Sequence, residues 1–137
     1  MITPRTVVAV ALALMATQVA SQVPQSPDDW SRAEAVIVEL SNFKFSPSTV
    51  QLKQGQVYDL RLVNRASGGH DFSASEFFAA ARIMEVDRGK INAGTVAVAG
   101  GKTIDIHLVA PTSGTYKLRC THFMHSSFGM TGEIVVQ

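Results

Sequence analysis

Short stretches of alternating apolar and polar residues, separated by turn signals, cover most of this chain of 137 residues. The segment STVQLKQGQVYDLRLVN alternates on both sides of a turn at Gly55, and Ile104, Ile106 and Leu108 share one face of TIDIHLVAP. Because side chains along a strand point alternately to its two faces, this period indicates half-buried strands. Short strands with frequent turns predict one antiparallel all-β sandwich or barrel.

One segment, SASEFFAAARI, departs from the alternating pattern. Ser73 or Ser75 could cap a helix there, and the alanines and Arg82 that follow favour helical structure. We therefore predict one short helix inserted between strands.

The N-terminal segment resembles an export signal. Arg5 precedes an apolar run from Val7 to Ala16, and small residues follow up to Ser21. The run is too short to span a bilayer, so we favour a cleaved signal peptide over the alternatives of a membrane anchor or a buried helix. We predict a signal peptide over 1–21, a flexible lead-in over 22–35 and one domain over 36–137. The expected location is the periplasm.

Charge excludes one class of partner. Removal of Arg5 with the signal leaves eleven basic and eleven acidic residues, with no basic run or stripe. Nucleic acid is therefore not an expected partner. We expect a monomer that is not inserted in a membrane once the signal is removed.

The segment CTHFMHSSFGM contains the single cysteine of the chain and no charged side chain. Cys120, His125 and Met130 follow the spacing C-x4-H-x4-M. Thiolate, imidazole and thioether form a soft ligand set that suits copper. A second imidazole is offered by His70, which lies just after a strand and the glycine pair 68–69. Zinc is the competing metal, but it prefers further thiolates or carboxylates and rarely uses a thioether.

These residues resemble those of the cupredoxins, the small secreted blue-copper proteins. The matching pieces are FKFSPSTVQLKQGQVYDLRLVN, HDF and GTYKLRCTHFMHSSFGMTGEIVV. The resemblance implies a Greek-key β-sandwich or barrel with His70, Cys120, His125 and Met130 as ligands of one type 1 copper ion. The loop spacing is similar to that of phytocyanins and laccase type 1 sites, and the inserted helix is more similar to bacterial periplasmic members.

Asp71 departs from the family pattern, which commonly has asparagine after the first histidine. That asparagine helps to join the two ligand loops, so the resemblance leaves this link open here. We expect the backbone N–H of Asp71 to donate to the Cys120 sulfur.

The resemblance implies electron transfer rather than catalysis. Enzymes of the wider family place a histidine beside the copper-binding cysteine, whereas Arg119 and Thr121 flank Cys120. The expected function is electron transfer with a transient redox partner. The alternative is a periplasmic copper-binding protein that serves copper tolerance or homeostasis, with a copper-handling partner.

The remaining histidines and several apolar residues lie outside the expected ligand set. We expect His107 to be a solvated strand residue, Met84 to belong to the core, and His122 to be a loop residue bonded to backbone rather than a ligand. With Met124, His122 could also form an outer copper-loading contact. Phe123, Met124 and Phe128 either pack beneath the site or form an apolar rim around His125.

Overall fold

Ten β-strands, one α-helix and two 3-10 helices form the described part of the chain, which comprises residues 28–122, 124–125 and 127–137 of a computed structural model. The strands are β1 (Glu34–Ser41), β2 (Lys44–Ser46), β3 (Thr49–Leu52), β4 (Val57–Asn64), β5 (His70–Ser73), β6 (Arg82–Ile83), β7 (Thr95–Val98), β8 (Thr103–Val109), β9 (Gly114–Arg119) and β10 (Thr131–Val136). Helix α1 is Ser75–Ala80, and the 3-10 helices are Trp30–Arg32 and Glu85–Lys90.

The strands form two five-stranded sheets, which confirms the predicted β-sandwich. The orders are β2-β1-β4-β8-β6 and β3-β10-β9-β5-β7. The expectation of purely antiparallel pairing was wrong, because β1 pairs in parallel with β4 and β3 in parallel with β10. The chain crosses to the second sheet for β3 and then returns, so β4 runs beside β1 in the same direction.

The core lies between the inward faces of the two sheets. Strand β4 alternates as predicted, with Tyr58, Leu60 and Leu62 buried and the residues between them half-buried. Ile106 and Leu108 of β8 face the same core. Burial of these side chains is the main favourable contribution to folding of such a sandwich.

Helix α1 confirms the inserted helix, but its ends differ from the prediction. Its N-cap is Ala74, which makes no side-chain capping bond. Ser73 is the last residue of β5 and accepts a bond from Thr95, so it is not free to cap the helix. Arg82, expected to be helical, begins β6 instead.

The predicted signal peptide, residues 1–21, lies outside the described residues, as does the first part of the lead-in. Within the described part of the lead-in, Asp28 pairs with Arg82 at 2.7 Å and Trp30–Arg32 form a 3-10 helix. Strand β1 starts at Glu34, two residues before the expected domain boundary at Val36. No helix within the described ranges is long and apolar enough to span a membrane.

His107 is not simply a solvated strand residue. Its backbone N–H and its ring Nδ1 both lie 2.8 Å from the Oδ2 atom of Asp87. Asp87 is buried in the second 3-10 helix and is also bonded by Lys90. This network holds that helix against β8. Met84, which precedes it, is half-buried and is not part of the core cluster to which we had expected it to belong.

Candidate metal centre

Three side chains converge at one end of the sandwich. The Cys120 Sγ atom lies 3.4 Å from His125 Nδ1 and 3.9 Å from His70 Nδ1. The two Nδ1 atoms lie 3.1 Å apart, and all three donor atoms lie within 4.8 Å of one another. Cys120 and His70 are fully buried and His125 is half-buried. Three of the four residues expected from sequence therefore meet at one point.

His70 is positioned by strand β5 and by the loop before it. It is the first residue of β5 and lies opposite Val98 of β7. The preceding loop is held by the buried Asn64, whose amide donates to the carbonyls of Gly68 at 2.9 Å and Val98 at 2.8 Å. Neither Gly68 nor Gly69 has a positive φ, so the loop does not need the conformational freedom expected of that pair. In the sequence, the one sign of this role is that Asn64 places a polar side chain at a position of the β4 alternation that faces the core.

The second loop, which follows β9, is closed by its own backbone hydrogen bonds. The N–H of Cys120 donates to Met130 O at 3.1 Å, and the N–H of Met130 donates to His125 O at 3.0 Å. Strands β9 and β10 pair antiparallel just beyond this loop, with Arg119 opposite Thr131. Met130 is fully buried beside the two other loop residues of the expected ligand set.

Further hydrogen bonds orient the donors. The backbone N–H of Asp71 donates to Cys120 Sγ at 3.3 Å, as expected from sequence. His70 Nε2 lies 2.9 Å from Asn42 Oδ1, and because that oxygen is an acceptor, the His70 proton sits on Nε2. The Nδ1 lone pair of His70 is then directed toward Cys120 and His125. Sequence reasoning missed Asn42, which lies in the turn between β1 and β2.

Electrostatics keep the His70 imidazole neutral. Burial lowers its pKa below the usual value near 6.5, and the nearby rings of His125 and His122 lower it further, against the opposite effect of Asp71. A neutral imidazole is the form that binds a metal ion.

Asp71 joins the two loops, which resolves the link that the resemblance left open. One carboxylate oxygen accepts the hydroxyl of Thr121, and the other lies 3.2 Å from His122 Nε2. The His122 ring therefore contacts a carboxylate, whereas we had expected it to be hydrogen-bonded to backbone. Its ring stacks on that of His125 with centroids 5.2 Å apart, but it is not part of the donor cluster found among the described residues.

Apolar side chains surround the exposed edge of His125. Phe43 contacts the His125 ring edge to face at 5.0 Å, and Phe128 packs on Phe43 at 5.1 Å. Phe128 is 60% exposed and Met124 is 45% exposed, so neither packs beneath the site. We call Phe43, Met124 and Phe128 the apolar rim. Phe123, also considered for this role, lies outside the described residues.

The donor set fits copper better than zinc. One thiolate and two imidazoles, with a buried thioether nearby in sequence, match the trigonal arrangement of electron-transfer copper sites. Structural zinc sites use four donors that are usually thiolates and imidazoles, and a lone thiolate beside a methionine does not fit them. The site therefore has the composition of a type 1 copper centre in a cupredoxin-like sandwich.

Comparisons with known proteins agree with this class. The sequence pattern of the family described as "Copper binding proteins, plastocyanin/azurin family" matches residues 33–137. The chain thus belongs to the plastocyanin/azurin family of copper-binding proteins, and its cofactor is one type 1 copper ion. No curated protein sequence matches the chain.

Solved structures show the same fold at low sequence identity. An auracyanin from Roseiflexus castenholzii is 19% identical with a TM-score of 0.58, over 77% of this chain and 98% of that one. Auracyanin A from Chloroflexus aurantiacus is 17% identical with a TM-score of 0.55, over 75% and 98%. A multicopper oxidase from Pseudomonas thermotolerans is 21% identical with a TM-score of 0.61, over 83% of this chain but only 32% of that one.

Proposed function

We propose that this protein is a periplasmic electron carrier in which His70, Cys120, His125 and Met130 bind the copper ion. The observation that carries the proposal is the buried cluster of three donors with one half-buried imidazole at its edge. When bound, the copper supplies reversible one-electron exchange between Cu(I) and Cu(II). The chain's own residues hold the donors in place and exclude water.

Rigidity of the donors supports electron transfer. Asn42 fixes the ring of His70, Asp71 donates to Cys120, and the backbone of Met130 is bonded to both Cys120 and His125. Outer contacts of this kind orient ligands and tune the metal. A site whose ligands are held before and after the redox change needs little rearrangement, which favours fast exchange.

Met130 would be the fourth and weakest ligand of the copper, through its thioether. It is fully buried and directly precedes β10, so the strand fixes its position relative to Cys120. A thioether is a soft and weak ligand, and the identity of the axial group tunes the potential of such sites.

The apolar rim is the proposed docking surface for a redox protein. Exposed aromatic and methionine side chains are enriched at interfaces, and electron-transfer complexes are small and transient. Phe43 packs against the ring of His125, so a partner that covers the rim approaches the imidazole edge. We propose that the carrier acts as a monomer.

A separate catalytic centre is not part of the proposal. Arg119 and Thr121 flank Cys120, where a histidine would be needed to pass the electron onward within the same chain. Within the described ranges, one group of three or more His, Cys, Asp or Glu side chains is close enough to hold a metal, and it is this site. The electron therefore leaves to another protein.

The metal assignment is tested by loading the protein that lacks residues 1–21 with Cu(II). We expect one equivalent to bind and to give an intense thiolate-to-copper charge-transfer band in the visible spectrum. Zinc in equal amount should not displace it. A colourless Cu(II) adduct, or preferential binding of zinc, would contradict the assignment.

The role as a carrier is tested at the rim. Phe128→Asp places a charge on the docking surface, which costs desolvation energy in the encounter complex, and should slow electron exchange with a redox partner about tenfold or more. Val86→Asp is the matched control, because Val86 is also exposed but lies in the 3-10 helix Glu85–Lys90, away from the rim. Both variants should keep the visible band and the copper affinity.

A role in copper tolerance predicts different results. A strain that lacks the gene would then become sensitive to added copper, and Phe128→Asp would exchange electrons as fast as Val86→Asp. These two results together would defeat the electron-carrier proposal and favour copper homeostasis.

A further inference from the structure

We propose that the negative charge of the Asp71 carboxylate favours the oxidised state of the copper. The inference deepens the proposed function and rests on its assignment of the ligands. It concerns the position at which this chain has an acid rather than the asparagine common in its family.

Asp71 contacts three consecutive residues of the second ligand loop. Its backbone N–H donates to Cys120 Sγ at 3.3 Å, its carboxylate accepts from the Thr121 hydroxyl, and a carboxylate oxygen lies 3.2 Å from His122 Nε2. Asp71 itself directly follows His70 at the start of β5. The residue therefore links the loop of the first histidine to the loop of the other three expected ligands.

The hydrogen-bonding geometry alone does not require a charge. An asparagine could present one oxygen to Thr121 and keep the same backbone N–H, so the acid adds mainly a negative charge. The Asp71 side chain is only 13% exposed, which limits screening of that charge by solvent and salt. Among the described residues, its one ion-pair contact within 4.0 Å is with His122, and neither Lys nor Arg reaches it.

A fixed negative charge beside the thiolate acts differently on the two oxidation states. It attracts Cu(II) more strongly than Cu(I), because the attraction grows with the charge of the ion. The structure thus holds a group that stabilises the oxidised form and lowers the reduction potential. Loss of the charge should raise the potential.

The first test measures the reduction potential of Asp71→Asn by redox titration of the visible band. We expect the Cu(I)/Cu(II) ratio at a given applied potential to rise about tenfold, which is ~59 mV for a one-electron couple, with the band retained. Asp28→Asn is the control, because it removes the same charge beside Arg82 at the other end of the sandwich. That variant should leave the potential unchanged.

The second test uses Thr121→Val, which removes a donor from the carboxylate but keeps its charge. With one hydrogen-bond donor fewer, the carboxylate charge is less compensated, so the reduction potential should fall. The Cu(I)/Cu(II) ratio at a given applied potential should decrease by less than tenfold. The two variants shift the potential in opposite directions if the charge is responsible. If Asp71 only held the loops together, both substitutions would shift the potential in the same direction, because each of them weakens the link between Asp71 and Thr121.

Three results would overturn the inference: a shift in Asp71→Asn no larger than in Asp28→Asn, shifts of equal sign in Asp71→Asn and Thr121→Val, or loss of copper by the isosteric Asp71→Asn. Circular dichroism of the copper-free variants verifies that each keeps its strands. Absence of the band in the wild-type protein would instead defeat the proposed function, and this inference with it.

Discussion

At Cys120, one sulfur atom has three polar neighbours at short range. The N–H of Asp71 lies at 3.3 Å and the Nδ1 atoms of His125 and His70 at 3.4 and 3.9 Å. The residue is fully buried, which protects a thiol that has no cysteine partner within the chain. Exposed free thiols outside the cytoplasm are prone to oxidation. Burial and metal binding together explain how the chain can retain a single free cysteine.

Substitution of the proposed ligands should separate their roles. Cys120→Ser should abolish the visible band, because a hydroxyl is a hard and weak substitute for a thiolate. Met130→Leu should keep copper and the band but raise the potential, since the axial thioether stabilises Cu(II) relative to Cu(I). We expect an increase of about tenfold in the Cu(I)/Cu(II) ratio, or ~59 mV.

Met84→Leu is the matched control for the axial ligand, because Met84 is half-buried and bonds through its backbone to His107, away from the donor cluster. Its band and potential should equal those of the wild type. If Met130→Leu lost copper altogether, or left the potential unchanged, Met130 would not be the axial ligand.

At the scale of elements, the site depends on how loops pack against one another. The loop over residues 65–69 leads into His70, and the turn at Gly100 packs against it. A Cβ atom at Gly100 would lie 2.0 Å from the carbonyl oxygen of Ser67, which is far inside van der Waals contact. The backbones of the two segments also bond directly, from Gly101 N to Ala66 O at 3.0 Å. Gly100 thus permits the approach that positions the first ligand loop.

Gly100→Ala should therefore destabilise the protein through overpacking. We expect the free energy of unfolding of the copper-free protein to fall by about 1–3 kcal/mol and copper affinity to fall as well. Gly68→Ala is the control in the neighbouring loop, because a Cβ there meets no atom within 4 Å. Denaturant unfolding and copper titration of both variants measure the difference. Equal stability of the two variants would show that the contact with Ser67 does not constrain the loop.

At the scale of the whole molecule, both sheets contribute to the metal centre. His70 and Cys120 come from β5 and the end of β9 in one sheet, whereas Asn42 follows β1 in the other. Away from this end, the buried Asp87 network joins the second 3-10 helix to β8. The stability of the sandwich therefore includes a buried charge that the copper site does not use.

That charge makes stability depend on pH. Burial by itself would raise the pKa of Asp87, but hydrogen bonds from Lys90 and from the backbone and ring of His107 outweigh it, so the pKa lies below 3.8. A carboxyl whose pKa is lowered by folding stabilises the native state above its unfolded pKa of about 3.9, and this contribution is lost as the pH falls through the lower folded value.

We expect Asp87→Asn to lower the free energy of unfolding by about 2 kcal/mol at pH 7, because three donors, Lys90 Nζ and the backbone and ring N–H groups of His107, lose a charged acceptor. The difference from wild type should shrink as the pH falls from about 4 through the lower folded pKa, because the carboxyl is protonated first in the unfolded state and only then in the folded state. Glu85→Gln is the control in the same 3-10 helix, since its ion pair with Arg88 is exposed and should contribute little. A difference that stayed constant down to pH 2 would contradict the role of the charge.

The sequence by itself determined the local features of this protein. Alternation in β4 and β8 determines which side chains face the core, and the C-x4-H-x4-M spacing places three of the expected ligands in one loop. Such features follow from strand geometry and donor chemistry within a few residues. The β-sandwich and His70 as an expected ligand could also be predicted from such local features, together with the resemblance to a known family.

Only the tertiary structure decided the contacts between distant segments. Cys120 meets a residue 50 positions earlier in the chain, and His70 is oriented by Asn42, 28 positions before it. The parallel pairing of β1 with β4, the contact of Phe43 with His125 and the bond from Thr121 to Asp71 have the same origin. No local pattern specifies such pairs, because they arise when the loops at one end of the sandwich are brought together by the packing of the sheets.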